Sequence, residues 1–304
     1  MIELLLIIIT AFFFPGIILR TKSVLSGRKG PGMFQPIKDL KVLLMKGSVF
    51  SQTSGIVFRI APAVTLASIF CVAFLLPFGQ QKALVSFEGD FIFFAYLLAF
   101  GRFFAIIAAL DTGSSFEGMG ANREALYAML VEPAFFILIA TFAMFTGYTS
   151  FSDIFNNFFI SGSHYVMIFS LIGVYILVQL AMIENSRLPV DDPKTHLELT
   201  MIHEVMILDN SGFDKALIHL GSYLKFAIFG ALIYNIMVPA DWNLYLQLAL
   251  FLTVQSVFAM VVGILESFRA RNKMGKNPKF ILTLSAIGLI AFMIILILTE
   301  KFVI

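Results

Sequence analysis

The stretch Ile183–Gly212 reads IENSRLPVDDPKTHLELTMIHEVMILDNSG and concentrates the chain's reactive side chains. It holds six carboxylates (Glu184, Asp191, Asp192, Glu198, Glu204, Asp209), two histidines (His196, His203) and Arg187. Such a set can form ion pairs, exchange protons or, with suitable spacing, ligate a metal. The spacing argues against a metal: it is not H-E-x-x-H, and residues 203 and 204 point about 100° apart on a helix. Asp192 followed by Pro193 is a good helix start, an acidic N-cap with proline in the first turn, and predicts a helix to Leu208. On it His196, Thr200 and His203 fall along one side with Glu204 next to Thr200, while Glu198 and Asp209 share another. These groups line a hydrated passage or bond to neighbouring helices. A proton path and a structural polar network fit the residues equally.

Three more ionisable residues, Arg102, Glu132 and Lys225, lie within apolar runs. Each costs at least about 2.5 kcal/mol at a helix centre in lipid, so each must face protein or water. Arg102 stands nine residues before Asp111, and Glu132 eight residues after Glu124. At about 1.5 Å per residue both lie about 12–14 Å below one surface, which allows them to pair across neighbouring helices. One reading is a fixed ion pair that holds two spans in register, and either way the pair requires a polar interior. Pro133 can open the backbone beside Glu132 and admit water. Lys225, ten residues beyond Lys215, sits at a similar depth.

The elements that position these groups are membrane spans. The 304 residues are 59% hydrophobic and 13% charged, against about 25% charged in soluble domains. Mean hydropathy is +0.93. Eight apolar runs are long enough to cross a bilayer, at 2–19, 60–78, 90–110, 125–147, 164–183, 216–238, 244–266 and 280–299. The expected fold is an all-α integral membrane protein, one bundle of eight transmembrane helices over residues 1–304 with long loops on one side. The N-terminal run starts with Glu3 and has no A-x-A cleavage site, so it reads as a retained span. A net charge of +2 does not suggest nucleic-acid binding, and the single Cys71 excludes an internal disulfide and a cysteine-based metal site.

The loops alternate in charge. Seventeen basic residues fall on one side: Arg20 to Arg59 in the first loop, Arg123, then Arg187, Lys194 and Lys215, then Arg269 to Lys279. The other side has Lys82 and Lys301. The positive-inside rule then places both termini outside and the long loops, with the acidic centre, in the cytoplasm. Glycines and a proline break the chain within Gly27–Gly32, and Pro36–Lys46 can form a short interfacial helix with Ile37, Leu40 and Leu44 on one face. The segment DTGSSFEGMGANRE, 111–124, reads as a flexible turn.

At the central stretch the chain resembles a known family. ENSRLPVDDPKTHLELTMIHEVMILDNSG (184–212) is similar to the signature loop of the membrane subunit shared by respiratory complex I and the membrane-bound nickel–iron hydrogenases. It looks closer to the hydrogenase and formate hydrogenlyase branch. GRKGPGMFQPIKDLK (27–41), FRIAP (58–62), GANREALYAMLVEP (120–133) and ESFRAR (266–271) agree in order, so the resemblance covers nearly the whole chain. It implies a non-redox subunit of an oxidoreductase complex in a prokaryotic cytoplasmic membrane. Such a subunit binds no cofactor itself. Iron–sulfur clusters and a nickel–iron centre belong to peripheral iron–sulfur and hydrogenase-like partners, and antiporter-like subunits adjoin it in the bilayer. Glu184, Arg187, Asp191 and Asp192 fall at the junction with the peripheral arm, beside the basic Arg28 and Lys29. Glu132, Glu198 and Glu204, with Arg102 and Lys225, are candidates for a path into the membrane. Lys194 stands where complex I has Glu, and Val190 where it has Phe, so the resemblance argues against a quinone headgroup site. The rival readings are a quinone-site subunit of the complex I type and a stand-alone secondary transporter. The second predicts two similar halves with broken helices, and no such repeat is present.

Overall fold

The computed structural model describes residues 2–159, 165–192 and 201–298. Among these are eleven α-helices and no strand: α1 (Ile2–Leu25), α2 (Gln35–Leu44), α3 (Ile56–Ala73), α4 (Asp90–Asp111), α5 (Ser115–Thr146), α6 (Phe151–Phe158), α7 (Tyr165–Glu184), α8 (His203–Met206), α9 (Gly212–Met237), α10 (Leu244–Phe268) and α11 (Asn277–Leu298). Eight are long and apolar enough to cross a bilayer, as the apolar runs predict. The short helix expected near Pro36 is α2, with Pro36 and Leu40 buried.

The bundle is built around α9. Every residue from Phe226 to Ile236 is buried, as expected of a helix apolar on all sides. It touches α1, α2, α3, α7 and α10. Its two sides differ. Toward α1 and α10 the packing is aromatic: Phe14 stacks on Phe226 at 5.0 Å and meets Phe258 edge-on at 5.1 Å. A second layer joins Phe78, Tyr234 and Phe251. Lys225 and Tyr234 are nine residues apart, about 180° around the helix, so Lys225 faces the other side, toward α3, α4 and α7.

Two expectations are corrected. The segment 111–124 is not a flexible turn: α5 begins at Ser115 and runs 32 residues, leaving only Thr112–Ser114 to reverse the chain. Its glycines serve close packing. A Cβ on Gly120 would lie 2.5 Å from the Val205 side chain and 2.8 Å from the Ile202 carbonyl, so only glycine lets the α8 segment lie against α5. The helix predicted from Asp192 to Leu208 also differs. Residues 193–200 lie outside the described residues, Met201 and Ile202 are not helical, and α8 is a single turn from His203. Its first amide, from His203, donates to Asp191 Oδ2 at 3.0 Å, so the acid that caps α8 is Asp191, twelve residues earlier.

The start of α3 is likewise capped from a distance. Asp111, the last residue of α4, accepts the Phe58 amide at 3.1 Å and satisfies one of the free N–H groups of α3's first turn. Asp111→Ala should lower the thermal midpoint in detergent by the equivalent of about 0.5–2 kcal/mol, and Asp111→Asn, which keeps an acceptor, should recover most of it. An unchanged midpoint in the alanine variant would show that the cap contributes nothing.

Candidate functional site

Four buried charges meet beneath the signature loop. Arg102 enters from α4, Glu124 from α5, Glu184 from the last turn of α7 and Lys225 from α9. The Arg102 guanidinium is ion-paired with Glu184, and its Nε lies 3.7 Å from Glu124 Oε1. Lys225 Nζ donates to the main-chain carbonyl of Glu184 at 3.2 Å. Two cations face two carboxylates, so the set is neutral as a whole, which offsets the several kcal/mol that desolvating each ion costs.

These side chains line a cavity of about 70 Å³ between α3, α4, α7 and α9. On the order of 10–15 Å³ holds one water, so the space suits a short hydrogen-bonded file. Polar walls come from Thr65, Asn185, Ser222 and Asn210; among the described residues the buried Asn210 Oδ1 has no hydrogen-bond partner, and it is an acceptor for such a file. A second cavity of about 30 Å³ runs between α4, α5 and α7, lined by Arg102, Glu184 and Glu132. Glu132 is half-buried and the next residue, Pro133, is exposed, so this space leads toward the side of the bundle.

The expected pair of Arg102 with Glu132 is corrected here. The ion pairs of Arg102 go to Glu184 and Glu124, and none joins it to Glu132 among the described residues. The cause is depth. Counting from Glu124 assumed a helix starting there, but α5 starts at Ser115. Glu124 is therefore nine residues into α5, level with Arg102 nine residues from the end of α4, and Glu132 lies about 12 Å deeper. Lys225 does join the same polar group. Glu204 sits beside His203 at the rim and does not line the cavity, whereas His203 does. Glu198 and His196 lie outside the described residues. Among the described residues no cluster of His, Cys, Asp or Glu could hold a metal ion.

The signature loop that follows Glu184 is held by the segment between α10 and α11. Arg187 pairs with Glu266 at 3.1 Å, which also takes Lys22 at 2.7 Å. Asp191 pairs with Arg271 at 2.7 Å. The Asn272 amide donates to the Pro189 carbonyl at 2.9 Å, and Asn277 Nδ2 to the Val190 carbonyl at 3.1 Å. Asp192 adjoins this clamp, its amide bonded to Asp191 Oδ1 at 2.9 Å. Arg28 and Lys29 are exposed at the end of α1, on the same basic end of the bundle. Sequence reasoning missed Glu124, Glu266 and Arg271 as parts of the site. The ESFRAR segment carried the signal, because a Glu and two Arg close to a span end require partners.

Two measurements test the geometry. Arg102→Met should cost roughly 3–5 kcal/mol of stability, because it strands Glu184 in the interior, and adding Glu184→Gln should recover a large part. Strictly additive losses would show that the two do not act as a pair. Burial pulls the His203 imidazole below its usual 6.5, against the opposing pull of Glu204. A base depressed in the folded state binds fewer protons folded than unfolded. Its contribution is complete above 6.5 and is lost as pH falls through the folded value. The thermal midpoint should thus drop below about pH 6.5 more steeply in the native protein than in His203→Gln, and parallel profiles would show that His203 does not titrate with folding.

Comparison with known proteins agrees with this architecture. The family model described as NADH dehydrogenase matches residues 1–297. The chain is similar to hydrogenase-4 component C of Escherichia coli, at 31% identity over 79% of this chain and 75% of that protein. Formate hydrogenlyase subunit 4 of the same organism is 29% identical over 92% of both chains. One subunit of the NADH-quinone oxidoreductase of Ralstonia nicotianae is 25% identical over 78% of this chain and 69% of that one. The fold matches a chain of the membrane-bound sulfane sulfur reductase, an archaeal respiratory membrane complex, with a TM-score of 0.80, 19% identity and coverage of 97% and 98%. The chain therefore belongs to the NADH dehydrogenase family, among the membrane subunits of hydrogenase-like and complex I-type respiratory complexes.

Proposed function

We propose that the chain anchors the peripheral electron-transfer arm of a hydrogenase-type respiratory complex and couples its redox chemistry to proton or sodium movement. The observation that carries this reading is the buried Arg102–Glu184–Glu124–Lys225 group, placed directly under the signature loop and continued by a cavity to Glu132. Peripheral iron–sulfur and hydrogenase-like subunits dock on the basic end, which the positive-inside rule puts in the cytoplasm, and they carry the cofactors. Arg187, Asp191 and Asp192 of the clamped loop belong to that platform.

The coupling follows from connectivity. Glu184 closes α7 and the clamped loop begins at the next residue. A displacement or charge change at the docked face therefore acts on the Arg102–Glu184 pair without a long relay. Weakening that pair changes the charge that faces Glu124 and Glu132, and the water-sized cavities offer a proton a route in or out. Glu132 is half-buried in the middle of a span, where lipid cannot solvate it. An antiporter-like membrane subunit beside α4 and α5 covers it and takes the charge change onward.

Glu132→Gln keeps the shape and removes the carboxylate. The variant complex should assemble and run its redox reaction with soluble electron carriers while moving few or no ions in sealed vesicles. An unchanged ratio of ions to electrons would reduce Glu132 to a structural role.

A further inference from the structure

The basic end holds a groove separate from the cavity that the buried charges line. It lies between the ends of α1 and α10 and has a volume of about 500 Å³. Its shape comes from how α1 ends. Gly27, at φ +65°, takes the left-handed turn that lets the Arg28 amide reach back to the Ser23 carbonyl at 3.1 Å, so the chain folds against its own helix end. Lys22, Arg28 and Lys29 line the groove, with no carboxylate among the lining residues. The C-termini of both helices point there, and their partial negative charge accounts for one part of this positive cluster. Lys22 is neutralised by Glu266, but among the described residues neither Arg28 nor Lys29 has a carboxylate within ion-pair distance.

The groove lies where two candidate membrane spans end, the level expected of lipid headgroups. The α1 span ends at Leu25 and the α10 span at Phe268. Phe268 lines the groove and is 77% exposed. Below it, Ile264, Val261 and Val257 are also exposed and fall on one face of α10, at helical spacing. Leu19 forms part of the groove's lining from α1. A pair of unsatisfied cations thus opens onto a continuous apolar track running down the span. The geometry points to an anionic phospholipid bound here, its phosphate between Arg28 and Lys29 and one acyl chain along the Val257–Phe268 face. A free phosphate would use the cations and leave the track idle, and an acidic protein segment would have no need of a track at span depth. The site goes beyond the coupling reading and does not require ion movement.

The test uses the whole complex, extracted in mild detergent, washed, and transferred to nanodiscs of phosphatidylcholine with or without phosphatidylglycerol. Bound phospholipid is then counted by mass spectrometry. The native complex should retain phosphatidylglycerol against excess phosphatidylcholine. Arg28→Gln with Lys29→Gln should weaken retention about 30-fold, each charge near the surface contributing about fivefold. Ile264→Ser with Phe268→Ser, which leaves the charges in place, should also weaken it while peripheral subunits stay bound. Equal retention in all three proteins overturns the site. Displacement by inorganic phosphate with no effect of the serine changes would identify a free-anion site instead. Loss of a peripheral subunit with unchanged lipid in the glutamine variant would assign the groove to an acidic protein segment. Each result is separate from the ion-to-electron ratio of Glu132→Gln.

Discussion

The buried ion pair of Arg102 with Glu184 is the constraint on which the rest of the bundle depends. A guanidinium inside apolar helices has to be matched in charge and hydrogen bonding, or the span that carries it does not stay buried. Meeting that requirement draws in four helices. α4 brings the cation and α7 ends so that its last residue is the carboxylate. α5 supplies Glu124 at the same level, and α9 supplies Lys225 to the carbonyl that Glu184 leaves free at the end of α7. The fold is thus organised around a polar centre as well as an apolar core.

α9 separates that centre from an aromatic half. Its face toward α1 and α10 is sealed by two aromatic layers, and its face toward α3, α4 and α7 holds the water-sized cavity. On the α1–α10 side Phe14, Phe226 and Phe258 pack against one another where the other side has that cavity.

The signature loop gains its shape from residues far away in the chain. Asp191 is tied to Arg271, Arg187 to Glu266, and the carbonyls of Pro189 and Val190 to Asn272 and Asn277. All four partners lie on or beside the short connection between α10 and α11. The loop is therefore a bridge between the last residue of α7 and the final hairpin, and Arg187 and Asp191 help to hold it there. Asp191 takes Arg271 on one oxygen and the His203 amide on the other, joining the loop to α8 as well.

Local composition alone determined a good deal of this. Eight apolar runs give eight spans because a bilayer admits few alternatives, the short helix after Pro36 follows from amphipathic spacing, and the order of motifs marks the family. Arg102, Glu132, Glu184 and Lys225 stand out because charge in an apolar run is costly wherever it occurs. Pairing was decided only by the tertiary structure. Depth in a helix is counted from its first residue; α5 starts at Ser115, and its Gly120 meets Val205 and Ile202, more than eighty residues away. That start brings Glu124 level with Arg102 and sets Glu132 about two turns deeper. The cap of α8 from Asp191 and the clamp from Glu266, Arg271 and Asn277 are non-local for the same reason: a hydrogen bond is settled by which atoms meet in space, and neighbours in space are not readable from neighbours in sequence.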